Sequence, residues 1–346
     1  MKKLNRVLSL SAAAALALSL TACSGGTSGT ADTPAADNTS ASTGGSGDTY
    51  TVAVIKQMDH ASLDEIADAI AARLDEIAAE NGVTIQYEVT SGQGDQTVLR
   101  QLADQAIADG VDAIIPIATT AAQVAAVSAE ESQTPVVFAA ISYPETADLT
   151  GIDYVTGTSD ALDTGLILDM MLAQNPQLQS VGLLYSLSEP NSEVPIADAK
   201  AYLDEKGIAY TEATANTNDE VIAAASSLIA DGVDAVFTPT DNIIMAAELA
   251  IYEDFINAGI PHYTGADSFV RNGAFATCGV NYTDLGAQTA DLAYQAMTEG
   301  MDSLEDYYQV AGGLITVNSE TADALGIDTS VFDSMGEVAA VTTTEE

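Results

Sequence analysis

A six-residue stretch is written twice in this chain. Ala108-Asp109-Gly110-Val111-Asp112-Ala113 recurs 122 residues later as Ala230-Asp231-Gly232-Val233-Asp234-Ala235. Each copy sits at the same place in a longer pattern: a helical stretch, a glycine that stops it, then an apolar run. In the first half, apolar runs at 51–55, 83–89, 112–117 and 135–140 predict strands, and 62–80, 95–109 and 121–132 predict helices. Within 62–80, Leu63, Ile66, Ile70, Leu74 and Ile77 recur three and four apart, on one helix face. The second half repeats the series, with strands at 181–185, 208–212, 234–237 and 261–263 and helices at 194–206, 219–231 and 242–257. Short apolar strands alternating with helices make parallel sheets covered on both faces. The expectation is an α/β protein of two similar, doubly wound parallel-sheet lobes with a cleft between them.

The segment before the first strand reads differently. Lys2, Lys3 and Arg6 precede an apolar run at 7–20, too short to span a bilayer comfortably, so 1–22 reads as a secretory signal. Leu20-Thr21-Ala22-Cys23 is similar to the lipobox of bacterial lipoproteins, which makes Cys23 the lipidated residue. Residues 23–49 are rich in Gly, Ser, Thr and Ala, a composition expected to form a flexible linker. Without 1–22, six basic residues stand against 51 acidic ones, a net −45. Such a field repels phosphate backbones and anionic head groups, so nucleic-acid partners are excluded and membrane attachment is expected through the lipid alone. Cys278 then has no partner in the chain and reads as a small buried residue.

In open parallel sheets, ligands bind beyond the carboxyl ends of the strands. The repeat pairs the residues there. His60 and Ser62 follow the first strand of one half, as Glu189 and Asn191 follow that of the other; Thr119-Thr120 match Asp241-Asn242, and Ser142 faces Asp267. Hydroxyls and helix-start amides suit a carboxylate, and acids suit an ammonium. Together they describe an α-amino acid held as a zwitterion. Asp241, Ser62 and Thr119 also fit as plain helix caps.

Several motifs resemble one family of bacterial ABC-transporter substrate-binding proteins, the one containing tryptophan- and phenylalanine-binding lipoproteins. They are Val111 to Gln123, Pro135 to Pro144, Tyr185 to Ser192, Pro239-Thr240-Asp241-Asn242, and Gly273-Ala274 followed by Gly279, Tyr282 and Leu285-Gly286. The resemblance implies a type I periplasmic-binding fold with three crossovers. It places 50–158 with about 284–305 in the first lobe, 159–283 with about 306–335 in the second, and leaves 336–346 as a tail. By position, Thr119, Thr120 and Ser142 would hold a ligand carboxylate, while Glu189, Asn191, Asp241 and Asp267 would hold the amino group or bridge the lobes. Met58, His60, Ser62, Ser192 and Asn242 complete the expected ligand-binding set. Met58, Phe138, Tyr143 and Tyr185 are candidates for apolar walls, or else core. The chain departs from the family at Thr120 and Ala61, where Pro is usual, which bears on side-chain specificity.

The implied function is an extracytoplasmic, membrane-anchored receptor, a monomer that closes on an aromatic amino acid and delivers it to an ABC permease. The alternatives are a sensor for another small solute (another amino acid, a short peptide or a nucleobase-like compound) and a surface adhesin. Two His are too few for a His-rich metal receptor, and no Gly-x-Ser-x-Gly elbow occurs in the body, so neither enzyme activity nor a cofactor or metal is expected.

Overall fold

A computed structural model of the chain describes residues 47–344; the signal at 1–22, Cys23 and nearly all of the linker lie outside the described residues. The chain runs through β1 (Thr49–Lys56), α1 (Ala61–Asn81), β2 (Thr84–Ser91), α2 (Gln96–Asp109), β3 (Ala113–Ile117), α3 (Thr119–Ala129), β4 (Val136–Phe138) and β5 (Val155–Ser159). It continues with α4 (Thr164–Gln174), β6 (Ser180–Tyr185), α5 (Glu193–Lys206), β7 (Ala209–Thr214), α6 (Asn218–Asp231), β8 (Ala235–Thr238), α7 (Asn242–Ala247), α8 (Tyr252–Ala258), β9 (His262–Thr264), α9 (Asp267–Arg271) and β10 (Ala276–Gly279). Then follow α10 (Tyr282–Glu299), β11 (Tyr308–Gln309), β12 (Leu314–Asn318), α11 (Ser319–Leu325) and β13 (Val338–Val341).

Two sheets result. The first has strand order β11-β5-β4-β3-β1-β2, and the second β13-β12-β10-β9-β8-β6-β7. All neighbours are parallel except β10 and β12. The chain therefore passes between sheets three times, after β5, after β10 and after β11.

The written repeat has a structural reason. Gly110 and Gly232 take φ of 74° and 68°, the left-handed turn that ends α2 and α6. The aspartate two residues later then reaches sideways. The Asp112 carboxylate accepts from the Thr51 backbone N–H at 2.7 Å, and Asp234 accepts from that of Ser180 at 2.9 Å. Each aspartate so pins the foot of its third strand to the first, in equivalent registers: Val52 faces Ala113, and Val181 faces Ala235.

In α1 the predicted stripe Leu63, Ile66, Ile70, Leu74 and Ile77 is buried. α10 lies along α1 and closes this side of the first sheet. Close approach is allowed by Gly286, where a Cβ would come within 2.7 Å of both the Ala69 side chain and the Ile66 carbonyl. The other side is covered by α2 and the alanine-rich α3.

Three elements differ from the sequence expectation. The helix expected over 242–257 is broken into α7, a 3-10 turn at Glu248–Ala250, and α8. The break carries Glu248 inward, where its carboxylate meets the buried His262 Nδ1 at 3.0 Å. β5 reads Val-Thr-Gly-Thr-Ser, fully buried yet half polar, so hydropathy does not mark it. Within 336–346, expected as a tail, Val338–Val341 extends the second sheet as an edge strand parallel to β12; four small or branched residues are too short a run to announce a strand.

Gly286→Ala is expected to destabilise the protein by about 1–2 kcal/mol, because overpacking at about 1–3 kcal/mol outweighs the roughly 1 kcal/mol that alanine gains in a helix. The urea unfolding midpoint measures it.

Candidate functional site

The carboxyl ends of both sheets face each other, and polar groups from the two lobes meet there directly. Gln57, just past β1, donates from Nε2 to Glu189 Oε1 at 2.7 Å, while its Oε1 accepts the Thr120 backbone N–H at 3.1 Å. His60 Nε2 meets Asn242 Oδ1 at 3.0 Å, and the Ser142 hydroxyl meets that of Thr240 at 3.2 Å. Ser62 and Ser268 pair through their hydroxyls. Between these contacts remains a cavity of about 20 Å3, the room of one water molecule.

Seven of the twelve expected residues line it: His60, Ser62, Thr119, Ser142, Asn191, Asp241 and Asn242. The other five stand behind the lining. Thr120 is tied through its backbone to Gln57, Ser192 donates to Asp241, and Glu189 is held by Gln57 and Asn242. Asp267 is ion-paired with Arg271 on its own helix, and Met58 packs at the edge of the core. The apolar lining comes instead from Leu63, Ile66, Met245 and Phe269. Phe138 is core, and the Tyr185 hydroxyl donates to Glu212 on the outer side of its lobe.

Asp160, which the sequence reading does not single out, also lines the cavity. It follows the unrecognised β5, is buried, and accepts from the Ser142 hydroxyl at 2.8 Å and the Tyr282 hydroxyl at 3.1 Å. Burial pushes its carboxyl above the usual range, against those two hydrogen bonds. Gln57 is likewise new; a lone amide at the end of an apolar strand is the signal that could have found it.

Hydrogen-bond logic fixes what each group still offers. Asn242 Nδ2 donates to Glu189 Oε2 at 2.6 Å, so its Oδ1 faces His60 and must accept. His60 Nε2 therefore carries the proton, and Nδ1 is a bare acceptor, sealed from solvent and without a partner. Burial lowers the imidazole pKa to about 4, which keeps it neutral. Asn191 Nδ2 donates to the Thr240 carbonyl at 2.6 Å, leaving Asn191 Oδ1 buried and unpartnered as well. Asp241 is different: it caps α7 through the N–H groups of Ile243 and Ile244 and accepts from Ser186 N–H and the Ser192 hydroxyl, all within its own lobe.

On the first lobe, α1 and α3 begin at the cavity without a side-chain cap. The first N–H groups of a helix have no acceptor inside it. That of Thr120 goes to Gln57, and Thr119 lies on the cavity wall. The residue before α3, Ala118, has φ 77° and ψ 160°, a conformation that only glycine adopts without strain. Ala140, after β4, has φ 58°. Both line the cavity, so strained backbone gathers where two strands deliver the chain to it.

Residues 51–335 match the ABC transporter substrate binding protein family. The chain belongs to that family. A tyrosine-binding protein from Clostridioides difficile strain R20291 is 27% identical over 251 residues, covering 71% of this chain and 72% of that protein. The structure is similar to an ABC domain from Streptococcus pneumonia in complex with L-Trp, with TM-score 0.75, 27% identity, 84% of this chain and all of that one. A ligand-free, open substrate-binding protein with adhesive properties from Clostridium difficile gives TM-score 0.63 at 25% identity, over 85% of this chain and all of that one. At nearly equal identity the lobes thus match the L-Trp complex better than the open form, in keeping with the direct interlobe bonds. Family members bind a small ligand and are not enzymes.

Burial and the Asp241 charge push the Glu189 carboxyl up to about 8, against its bonds to Asn242 and Gln57. An unfolded glutamate titrates at 4.5, so between these values the folded state holds a proton that the unfolded chain has lost. Its contribution to stability is full below the lower value and is lost as pH rises through the upper one. Urea unfolding should show wild-type stability falling from pH 4.5 to about 8, and a shallower fall in Glu189→Gln.

Proposed function

We propose that the protein is the extracytoplasmic receptor of an ABC importer and that it closes on an α-amino acid, aromatic in side chain. The observation that carries this reading is the set of acceptors left over at the cavity. His60 Nδ1 and Asn191 Oδ1 have no partner, and the Asp160 carboxylate has lone pairs to spare. Three acceptors are what the three N–H bonds of an ammonium require. An ammonium would also hold Asp160 ionised, recovering what burial costs it.

The anionic end of the ligand fits the first lobe, where the uncapped starts of α1 and α3 carry the positive ends of two helix dipoles. Thr119 and Ser62 add hydroxyls there. Leu63, Ile66, Met245 and Phe269 form the apolar side, against which a ring would lie. The tyrosine-binding and L-Trp-complexed relatives support the aromatic preference. A ring needs more than the room of one water, so the lobes part for it, and the direct interlobe bonds give way to bonds through the ligand.

The anchor belongs to the same reading: the signal at 1–22, Cys23 and the linker would tether a net −45 body to the outer face of the cell membrane. No helix among the described residues is long and apolar enough to cross a membrane. Cys23→Ala is expected to move the protein from the membrane fraction to the soluble one.

A thermal-shift panel of the twenty amino acids tests the ligand class, with stabilisation expected from tyrosine, tryptophan or phenylalanine. The chain has 13 Tyr and no Trp, so bound tryptophan would be the only indole and its emission can be followed on Tyr excitation. Asp160→Asn should weaken binding by about 1–3 kcal/mol. No stabilisation by any amino acid overturns the assignment.

A further inference from the structure

Between residues 47 and 344 there are six Lys or Arg, and most serve one lobe. Lys56 pairs with Asp59 and Asp64 beside β1, Arg73 with Glu76, Glu80 and Asp291 on α1 and α10, and Lys200 with Glu212 on the second sheet's side. Lys206 lies over the Tyr202 ring. Arg271 differs. Its guanidinium binds Asp267, four residues back on α9 of the second lobe, and also Glu65 on α1 of the first. Among the described residues it forms the one ion pair between a basic side chain and a carboxylate across the cleft.

The triad is built rather than incidental. Glu65 receives a second bond at 3.0 Å from the Thr283 hydroxyl at the start of α10, so its carboxylate is already oriented within the first lobe. On the other side, the Arg271 carbonyl accepts the Thr344 backbone N–H at 2.8 Å, which ties this short helix to the strand-end segment after β13. All three charged side chains are partly withdrawn from water, at 28%, 23% and 15% exposed for Arg271, Glu65 and Asp267. None of the three lines the cavity. Two acidic lobes repel as they approach, and a cation at the seam offsets that repulsion only when they meet.

We propose that Arg271 is an interlobe latch: held by Asp267 on its own lobe, it grips Glu65 when the cleft shuts and so sets how long a solute stays, without touching it. This inference rests on the cleft-closing reading and gives Asp267 a supporting part in place of contact with the ligand. A bond made only in the closed state must break before a bound solute can leave.

The test uses the full chain and two glutamine variants on opposite lobes, Arg271→Gln and Glu65→Gln. Small-angle X-ray scattering without any amino acid reads the latch itself. The wild type is expected to be compact at low NaCl and to expand at high NaCl, whereas each variant is expanded at both. Stopped-flow dissociation of L-tyrosine, the probe, should be about 5- to 50-fold faster in each variant, and the double variant no faster than either single one. Scattering unchanged by both variants, or single effects that simply multiply in the double variant, overturns the latch. If L-tyrosine and the other amino acids fail to bind, the ligand assignment fails, and scattering still decides the latch.

Discussion

Polar groups taken out of water must be paired, and at the cleft of this protein part of that requirement is met between two lobes rather than within one. An unmet buried donor or acceptor costs about 1–3 kcal/mol. Gln57 with Glu189, His60 with Asn242, and Ser142 with Thr240 discharge it across the cleft. Two atoms left over at the cavity, His60 Nδ1 and Asn191 Oδ1, are acceptors. A closed cleft that holds both unpartnered acceptors and uncapped helix starts is matched by a solute that carries hydrogen-bond donors as well as a negative charge.

The same constraint separates supporting residues from contact residues. Asp241 looks like a ligand group in the sequence because it sits at a strand end beside Asn242. Four hydrogen bonds within its own lobe occupy it, and its work is to start α7 and hold the loop carrying Ser186 and Ser192. Glu189 is likewise one step back, and its position fixes the Asn242 amide, which in turn fixes the His60 tautomer. A chain of three side chains thus decides which nitrogen of one imidazole looks into the cavity.

The two-lobed α/β architecture was legible because periodicity and an exact repeat report on backbone pattern, and those depend on near neighbours in the chain. The strand-end positions followed from the architecture, which is why His60, Thr119, Ser142 and Asn191 could be named from residue order alone. What could not be read depended on partners distant in sequence. Asp160 hides behind β5, whose Thr and Ser side chains are buried by tertiary packing that hydropathy cannot see. The Arg271–Glu65 pair joins residues 206 apart. The helix over 242–257 breaks around a carboxylate whose imidazole partner is 14 residues further on. The walls around the cavity were missed for a related reason: aromatic residues near strand ends attract notice, yet Leu63 and Ile66 come from the first turns of α1, on the same stripe that forms the core.

The repeated aspartates have a mechanical consequence. Asp112 and Asp234 each brace the first strand of a sheet against the third at the end remote from the cleft. A sheet braced at its foot resists shearing, so each lobe travels as a stiff plate. Bending is then confined to the three crossing segments, and a displacement at the cavity of the size of one ring is carried undiminished to the outer faces of both plates.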